Sequence, residues 1–251
     1  MNKLKKMLIN FILYIKYGYK SSSKRYYKYL NNKGIKLGKN VKFYSPWSIS
    51  IDIQRPWMIE IGDNVHITSG CRILQHGYDW CVLQHKYGDV LGSSGKVTIG
   101  NNVFIGVETT ILKGVTIGND VIIGAKTLVN KDCIEPGVYA GNPVRFIMSI
   151  DEYYEKRKQR QIKEATELMK EYYNKYGNYP KKELLREFFW LFEERKTELN
   201  TTFMDVINLE GNEKISMQSF LNSKPVFNGY NEFIKYVGGN YDSKNKKNDT
   251  Q

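Results

Sequence analysis

The middle of the chain repeats every six residues without interruption. From residue 97 to residue 132, six consecutive hexads read VTIGNN, VFIGVE, TTILKG, VTIGND, VIIGAK and TLVNKD. One position always holds Ile or Val, and the position two residues earlier always holds Val or Thr. Residues i and i+2 share one face of a strand, whereas a helical stripe repeats about every 3.6 residues. Each hexad therefore predicts one short strand followed by a turn.

A single hexad cannot bury its own apolar side chains, so successive coils must stack into a continuous apolar column. Glycines recur in the repeat, and we expect their backbone freedom to allow the tight corners. The same register recurs upstream at Leu37, Phe43, Ile49, Ile61, Ile67 and Ile73. Arg55 breaks this upstream series, so residues 51–58 are predicted to form an irregular coil from which Arg55 and Trp57 turn outward.

A loop interrupts the repeat between residues 74 and 96. The spacing from Ile73 to Ile99 is 26 residues, which is not a multiple of six, so the register is lost there. This predicts an excursion that leaves the solenoid and returns to it. The loop holds two of the three histidines, His76 and His85. Excursions from a rigid scaffold are common places for functional residues.

Positive charge is concentrated at the start of the chain. The formal net charge is +12, and residues 1–40 carry 11 Lys and Arg with no acidic residue. Such an arm can contact an anionic membrane surface or another polyanion, but a solvated, lysine-rich helix face is the more common explanation of this pattern. Because the rest of the chain is nearly neutral, nucleic acid is not expected as a partner. No apolar run reaches the roughly 20 residues that cross a bilayer, and no cleavage site follows the N-terminal apolar stretch, so we expect a cytoplasmic protein.

The cysteines and histidines do not predict a metal site. Cys71, Cys81 and Cys133 are odd in number and lack CxxC spacing, so neither a disulfide framework nor a zinc knuckle is indicated. We expect them to be small buried apolar residues. The three histidines are spaced 10 and 9 residues apart, which does not suit a three-histidine zinc site.

These motifs together resemble the hexapeptide-repeat acyltransferases. The hexads, the IGDN and IGNN corners, the LQHGYDW loop and the closing GVYAGNPVRFI occur in that family's order, over about residues 35–148. The resemblance is closest to the galactoside, maltose and cell-surface polysaccharide O-acetyltransferases. It implies a left-handed parallel β-helix, a homotrimer, and acetyl-CoA bound in a groove between neighbouring subunits.

Helical segments are predicted on both sides of this mainly β solenoid. Residues 1–34 read as basic amphipathic helices, the second of them capped by Ser22 or Ser23. The β-helix occupies residues 35–148, with its excursion loop at 74–96. C-terminal helices follow over residues 149–199, one ending at Gly177 and the next opening at Pro180. Periodicity then fades, so residues 200–251 are expected to be an irregular or partly disordered tail.

The family resemblance assigns His76 as the general base. Its imidazole would take a proton from a hydroxyl of the acceptor. Asp79 matches the family's acidic position and is expected to orient the imidazole or to bind the acceptor. His85 is a competing candidate for the base and, with Tyr78 and Trp80, a candidate contact for the acceptor. His66 points outward from a strand, which favours a structural or acceptor-contact role.

The resemblance also assigns a site for acetyl-CoA. The backbone N–H of Val107 would donate to the oxyanion formed at the thioester. Lys126 departs from the small residue usual at its position. The other positions expected to bind the cofactor are Phe104, Gly106, Gly124, Ala125, Lys131 and Arg145.

The sequence thus predicts an acetyl-CoA-dependent O-acetyltransferase acting on a sugar hydroxyl, in the assembly of cell-surface polysaccharide. The hydroxyl would attack the thioester directly, because no Ser–His or Cys–His motif indicates a covalent acyl-enzyme. Two alternatives stay open among enzymes, namely N-acetylation of an amino sugar and acetylation of a xenobiotic. A trimeric scaffold or a polyanion binder is the alternative without catalysis.

Overall fold

The computed structural model describes residues 3–248, and the chain divides into two compact units, Met1–Tyr153 and Tyr154–Gln251. The first unit holds the strands. They are β1 (Lys36–Leu37), β2 (Lys42–Phe43), β3 (Ser50–Ile51), β4 (Ile59–Ile61), β5 (Val65–Ile67), β6 (Arg72–Ile73), β7 (His76–Gly77), β8 (Ser93–Ser94), β9 (Val97–Ile99), β10 (Val103–Ile105), β11 (Thr110–Ile111), β12 (Thr116–Ile117), β13 (Val121–Ile123), β14 (Leu128–Val129), β15 (Gly137–Ala140) and β16 (Arg145–Ser149).

Most of these strands form three sheets. Sheet A has the order β1-β4-β9-β12, sheet B the order β16-β15-β13-β10-β5-β2, and sheet C the order β14-β11-β6-β3. Neighbours are parallel, except that β16 runs antiparallel to β15. From β1 to β6 and from β9 to β14, the chain visits sheets A, B and C in turn. We name the corners by the sheets that they join: AB, BC and CA.

The predicted apolar column is confirmed. From Phe43 onward the inward-facing strand residues of the repeat are buried, and each contributes roughly 1.5–3 kcal/mol relative to exposure. Leu37 is only half-buried, and Ile51, in place of the expected Ile49, pairs with Ile73. Parallel pairing keeps equivalent residues level, as in Ile67↔Ile105 and Ile105↔Ile123. The column comprises Ile61, Ile99 and Ile117 in sheet A, Ile67, Ile105 and Ile123 in sheet B, and Ile73, Ile111 and Val129 in sheet C.

The glycines that follow the inward isoleucines have a different role from the one expected, whereas Gly114 at corner CA does take a left-handed φ of 81°. The left-handed residues at corner AB are not glycines but Asn64, Asn102 and Asp120, each with φ 56°. A Cβ placed on Gly100 would lie 2.7 Å from the carbonyl oxygen of Gly118 in the next coil. Glycine is therefore required at this position for the close approach of stacked backbones. Asn and Asp tolerate the left-handed conformation that the turn needs.

Side chains at the same corner join the coils in a ladder. Asn40 donates to Asn64, Asn64 to Asn102, and Asn102 to Asp120, each at 3.0 Å. The preceding Asp or Asn of each coil accepts from the backbone of the coil before it, as Asn119 Oδ1 does from Asn101 N at 2.7 Å. These bonds satisfy polar groups that the turns would otherwise leave unpaired.

The excursion loop is partly ordered as regular structure. Its two ends form an antiparallel ladder between β7 and β8, which we call the neck, and it carries the helix α3 (Trp80–Tyr87). In the irregular coil before it, Trp57 is exposed as expected. Arg55 is half-buried and its Nη1 atom is buried, so the outward orientation expected for Arg55 is wrong.

Two helices precede the coil, α1 (Lys3–Tyr17) and α2 (Ser23–Asn32). Ser22 caps α2 as predicted, because its side chain accepts from Arg25 N at 3.3 Å. α2 buries Tyr26 and Leu30 at the base of the coil, and the Tyr26 ring meets Phe43 edge-on at 5.0 Å. Among residues 3–248, no helix combines the length and apolar character of a membrane span.

The second unit corrects two expectations. In place of a helix opening at Pro180 there are two 3₁₀ turns, Lys182–Leu185 and Phe189–Leu191. The expected irregular tail contains helices, and only residues 249–251 of it lie outside the described chain. The helices of this part of the chain are α4 (Ile150–Tyr176), α5 (Thr201–Ile207), α6 (Glu213–Asn222) and α7 (Tyr230–Asn248).

Aromatic packing explains why this tail is folded. The Phe189 and Phe203 rings stack at 4.7 Å, and the Phe192 and Phe233 rings at 5.8 Å. These four rings and Phe220 are buried. Each large ring buries much apolar area, so a few of them form a core without a regular period in the sequence.

Candidate active site

The neck of the excursion loop positions His76. This residue lies in β7 opposite Ser94 of β8, just after the last strand of sheet C before the loop. The carbonyl of Gln75 accepts from Gly95 N at 2.9 Å and from Ser94 Oγ at 3.1 Å. The two ends of the loop are thereby tied together, and His76 is held at corner CA.

A carboxylate from the neighbouring coil contacts this histidine. Asp52 follows β3, and its Oδ2 contacts Nδ1 of His76. Both side chains are largely buried, with 8% of Asp52 and 13% of His76 exposed. Asp52 is itself fixed, because its Oδ1 accepts from Gln54 N at 3.0 Å and its N–H donates to Ile73 O at 3.0 Å. A carboxylate on Nδ1 favours the tautomer in which Nε2 is free to accept a proton.

Sequence analysis did not find Asp52. It assigned an orienting role to Asp79, but the carboxylate of Asp79 lies against Gly77, where an added Cβ would collide with it. The Nζ atom of Lys113 is 3.5 Å from the same position. The available signal was the broken hexad at residues 51–58, which places a carboxylate in an irregular coil beside the loop.

Gln75 connects the segments that carry Asp52 and His76. Its side chain is fully buried, and its Nε2 donates to the carbonyl of Asp52 at 3.2 Å. Its backbone carbonyl closes the neck. Among the described residues, its Oε1 atom has no hydrogen-bond partner. One buried amide thus joins the coil that carries Asp52 to the strand that carries His76.

Aromatic side chains border the histidine. The ring of Tyr78 meets the His76 imidazole edge-on at 4.8 Å, and Trp80 follows at 6.3 Å from Tyr78. The Tyr78 hydroxyl accepts from Gln54 Nε2 at 3.0 Å, while 58% of the residue stays exposed. This surface offers both ring faces and polar atoms beside the candidate base. His85 is exposed on α3.

His66 lies elsewhere. It stands in β5 of sheet B between buried Val65 and Ile67, and its Nδ1 is 3.0 Å from the hydroxyl of Tyr44. Its outward orientation on the strand is confirmed. His76 is at corner CA, so the two histidines occupy different sides of the coil.

Several expected acetyl-CoA residues meet at corner BC. Gly106 and Val107 follow β10, and Gly124 and Ala125 follow β13 in the next coil. The coils approach closely there, since a Cβ on Gly106 would be 2.5 Å from Ala125 N. Among the described residues, the Val107 N–H makes no hydrogen bond, and its carbonyl accepts from Lys126 N at 2.7 Å. This corner therefore presents an available backbone donor.

The remaining expected residues are distributed along the coil. Phe104 is 43% exposed on β10. Lys131 follows β14 at corner CA and is exposed, and Arg145 is exposed at the start of β16. Lys126 is 3.7 Å from Glu108, which partly neutralises it. Within one chain, the Val107 corner and the His76 corner are therefore separate.

Comparison with known proteins agrees with the hexapeptide repeat. The family described as "Bacterial transferase hexapeptide (six repeats)" matches residues 96–131. "Protein CapG" of Staphylococcus aureus is 41% identical over 120 residues, which cover 48% of this chain and 69% of that protein. The "Galactoside O-acetyltransferase" of Escherichia coli is 36% identical over 127 residues, covering 51% and 59%.

Among solved structures, a galactoside acetyltransferase in complex with coenzyme A is 27% identical, with a TM-score of 0.40, covering 60% of this chain and 84% of that chain. The chain thus spans 69% and 59% of the length of these two curated relatives. The identity and coverage of the CapG match, together with the family match over residues 96–131, show the family of this chain. The chain therefore belongs to the hexapeptide-repeat acyltransferases and is an acyltransferase.

Proposed function

We propose that the protein is an acetyl-CoA-dependent O-acetyltransferase acting on a sugar hydroxyl, in the assembly of cell-surface polysaccharide. The observation that carries this proposal is the buried contact between Asp52 and His76 beside the exposed Tyr78. A galactoside O-acetyltransferase among the relatives supports a sugar acceptor. Because acetyl-CoA is made and used in the cytoplasm, we place the reaction there, at the inner face of the membrane.

The reaction proceeds by direct attack. His76 Nε2 accepts the proton of the acceptor hydroxyl as its oxygen bonds to the thioester carbonyl carbon. The Val107 N–H donates to the oxyanion of the tetrahedral intermediate. The intermediate collapses, the carbon–sulfur bond breaks, and His76 returns the proton to the coenzyme A sulfur. Asp52 stabilises the imidazolium that exists between the two proton transfers.

The site is completed by a second copy of the chain. His76 lies at corner CA and Val107 at corner BC, so one chain does not present both groups to one thioester. We propose a homotrimer of left-handed coils, in which corner CA of one copy faces corner BC of its neighbour. In this ring each corner BC faces the corner CA of a neighbouring copy, so the head-to-tail interface closes and no site is left incomplete.

Acetyl-CoA would lie in the groove between two copies. The pantetheine arm would run along the coil edge beside Gly106 and Gly124 and pair with the backbone of the exposed Ala125, and Phe104 would border it. Lys131 and Arg145 would pair with the phosphates, since both are exposed cations.

The acceptor would lie on the loop side of His76. Tyr78 and Trp80 offer ring faces of the kind that pack on sugars, and Gln54 adds an amide. Asp79 and His85 would contact further hydroxyls. Since Gln54 comes from the irregular coil and the others from the loop, the acceptor surface is built from the two segments that depart from the repeat.

The test incubates the protein with acetyl-CoA and a panel of free sugars, nucleotide sugars and amino sugars. Thiol release and a one-acetyl mass gain on a hydroxyl are expected, with a fall of about 10²–10⁴-fold in His76→Ala. His85→Ala leaves the contact between Asp52 and His76 intact and should retain the parent kcat, with at most a raised KM for the acceptor. Acetylation confined to amino groups would replace the proposal with N-acetyl transfer, and no thiol release with any acceptor would favour a scaffold.

A further inference from the structure

Helix α1 presents an apolar surface that packs against nothing described in the chain. Between 53% and 70% of each of its five stripe residues is exposed, although all are large and apolar. Their spacing follows helical periodicity, so they line one face. We call this surface the α1 stripe; it comprises Met7, Leu8, Phe11, Ile12 and Ile15.

The opposite face of α1 attaches the helix to the coil. Leu13 and Tyr17 are its half-buried residues. Each lies two positions from Ile15, which is about 200° around a helix at 3.6 residues per turn. The ring of Tyr17 stacks on Trp47 at 5.2 Å. The α1 stripe therefore faces away from the rest of the first unit.

Lys20, in the segment between α1 and α2, ties that segment to the coil. Lys20 Nζ donates to the carbonyl of Ile49 at 2.7 Å, and Arg25 of α2 lies over the ring of Tyr14 at 4.9 Å. These contacts fix the end and the side of α1. The stripe is thus held in a defined direction relative to the coil.

The charged side chains of α1 and α2 all have the same sign. Asp52 is the first acidic residue of the chain, and twelve Lys and Arg precede it. Lys5, Lys16, Lys24 and Lys28 are exposed on α1 and α2. An apolar face flanked by lysines is the pattern of a helix that lies in the headgroup region of an anionic membrane.

We propose that α1 docks on an anionic lipid bilayer, with the α1 stripe in the interfacial region and the lysines over the lipid phosphates. The helix lies along the surface, because its 15 residues are about 22 Å long and do not span the hydrocarbon. The electrostatic attraction of each lysine to the anionic surface adds to the binding free energy that burial of the stripe provides. This inference is independent of the acetyl transfer proposed above.

Charge argues for a bilayer over a second copy of the chain. Pairing two α1 helices would bring their lysines together, and the first 51 residues contain no carboxylate to offset the repulsion. A nucleic acid would satisfy the lysines but would leave the stripe in water. An anionic bilayer satisfies both the charged and the apolar groups.

The experiment measures sedimentation of the full-length protein with vesicles. Phosphatidylglycerol-containing vesicles should bind it, and pure phosphatidylcholine vesicles should bind it at least about tenfold more weakly. The double variant Phe11→Asp/Ile15→Asp should lower the partition coefficient by at least about tenfold, since two stripe residues can no longer be buried. Lys5→Gln/Lys16→Gln should also lower it about tenfold or more.

The matched control is Ile134→Asp/Ile147→Asp, which adds the same charge at apolar residues that are 52% and 51% exposed elsewhere in the first unit. Its partition coefficient should stay within about threefold of that of the parent. Equal binding by the stripe variant and the parent would overturn the proposal. A change in molar mass of the stripe variant by light scattering, without loss of vesicle binding, would assign the stripe to a second copy instead. Thiol release on a soluble acceptor should be the same in the parent and in all three double variants, which separates this result from the acetyl-transfer proposal.

Discussion

The carboxylate of Asp52 contacts Nδ1 of His76 between two neighbouring coils of the first unit. Asp52→Asn removes the charge but keeps the shape, and its amide favours the wrong tautomer of the imidazole. We expect kcat to fall by about 10²–10⁴-fold, because proton transfer by His76 is weakened. The KM for acetyl-CoA should change little. Steady-state thiol release measures both quantities.

Asp89→Asn is the control for this variant, since Asp89 is an exposed carboxylate of the same loop. It should retain the parent kcat. Full activity of Asp52→Asn would show that the imidazole does not depend on this carboxylate, and attention would move to Asp79.

Close stacking of the coils predicts a strong effect at Gly100. A Cβ there would lie 2.7 Å from both Gly118 O and Asn119 Oδ1. Gly100→Ala should therefore lower the free energy of unfolding by about 1–3 kcal/mol or more. Gly92→Ala is the matched control, because a Cβ at Gly92 would have no neighbour within 4 Å. Urea unfolding of both variants gives the comparison, and an equal loss in both would contradict the packing argument.

The three thiols should differ in reactivity. Cys71 and Cys133 are buried as predicted, but Cys81 is exposed, so the expectation of burial was wrong for that residue. Burial raises the pKa of Cys133 to about 11 and also raises the pKa of Cys71. A raised pKa keeps a thiol protonated, and only the thiolate is nucleophilic.

At mildly alkaline pH, a thiol reagent should label one cysteine of the folded protein quickly and three in denaturant. Cys81→Ser should abolish the fast phase. A fast phase that persists in Cys81→Ser would mean that a buried thiol is accessible in the folded state.

The aromatic core of the second unit predicts that its last helix contributes to stability. Phe233 is fully buried on α7 and stacks on Phe192. Phe233→Ala should lower the free energy of unfolding of this unit by about 3–5 kcal/mol. Tyr236→Ala, on the same helix but 44% exposed, should cost far less. Thermal loss of the helical circular dichroism signal measures both, and equal melting of the two variants would refute the packing of α7.

The repeat was the most predictable part of the molecule. Its inward positions follow from a period of six, because every coil imposes the same alternation on its strand. The contact between Asp52 and His76 was not predictable in that way. It joins two segments that depart from the repeat, and periodicity carries no information about residues that do not repeat.

The glycines and the C-terminal phenylalanines show two other limits. Gly100 and Asn102 occur in one corner motif, and only the backbone shows that the asparagine takes the left-handed conformation while the glycine admits the next coil. In the second unit, Phe203 and Phe220 meet Phe189 from separate helices. Their spacing in the sequence has no helical or strand period, so the shared core was invisible before the chain was folded.

The neck closes the excursion loop at its base, so the coils stack independently of the residues within the loop. Gln75 receives the far end of the loop through Gly95 and Ser94, and sheet A resumes at β9 as though the intervening residues were absent. Residues between the clamped ends can therefore vary in length and composition without shifting the register of the coils. Asp52 lies outside that clamp, and His76 is the first residue inside it, held in β7 by pairing with β8. A change in loop length beyond the β7–β8 pair would therefore alter the surface around Tyr78 and Trp80 and leave the contact between Asp52 and His76 in place.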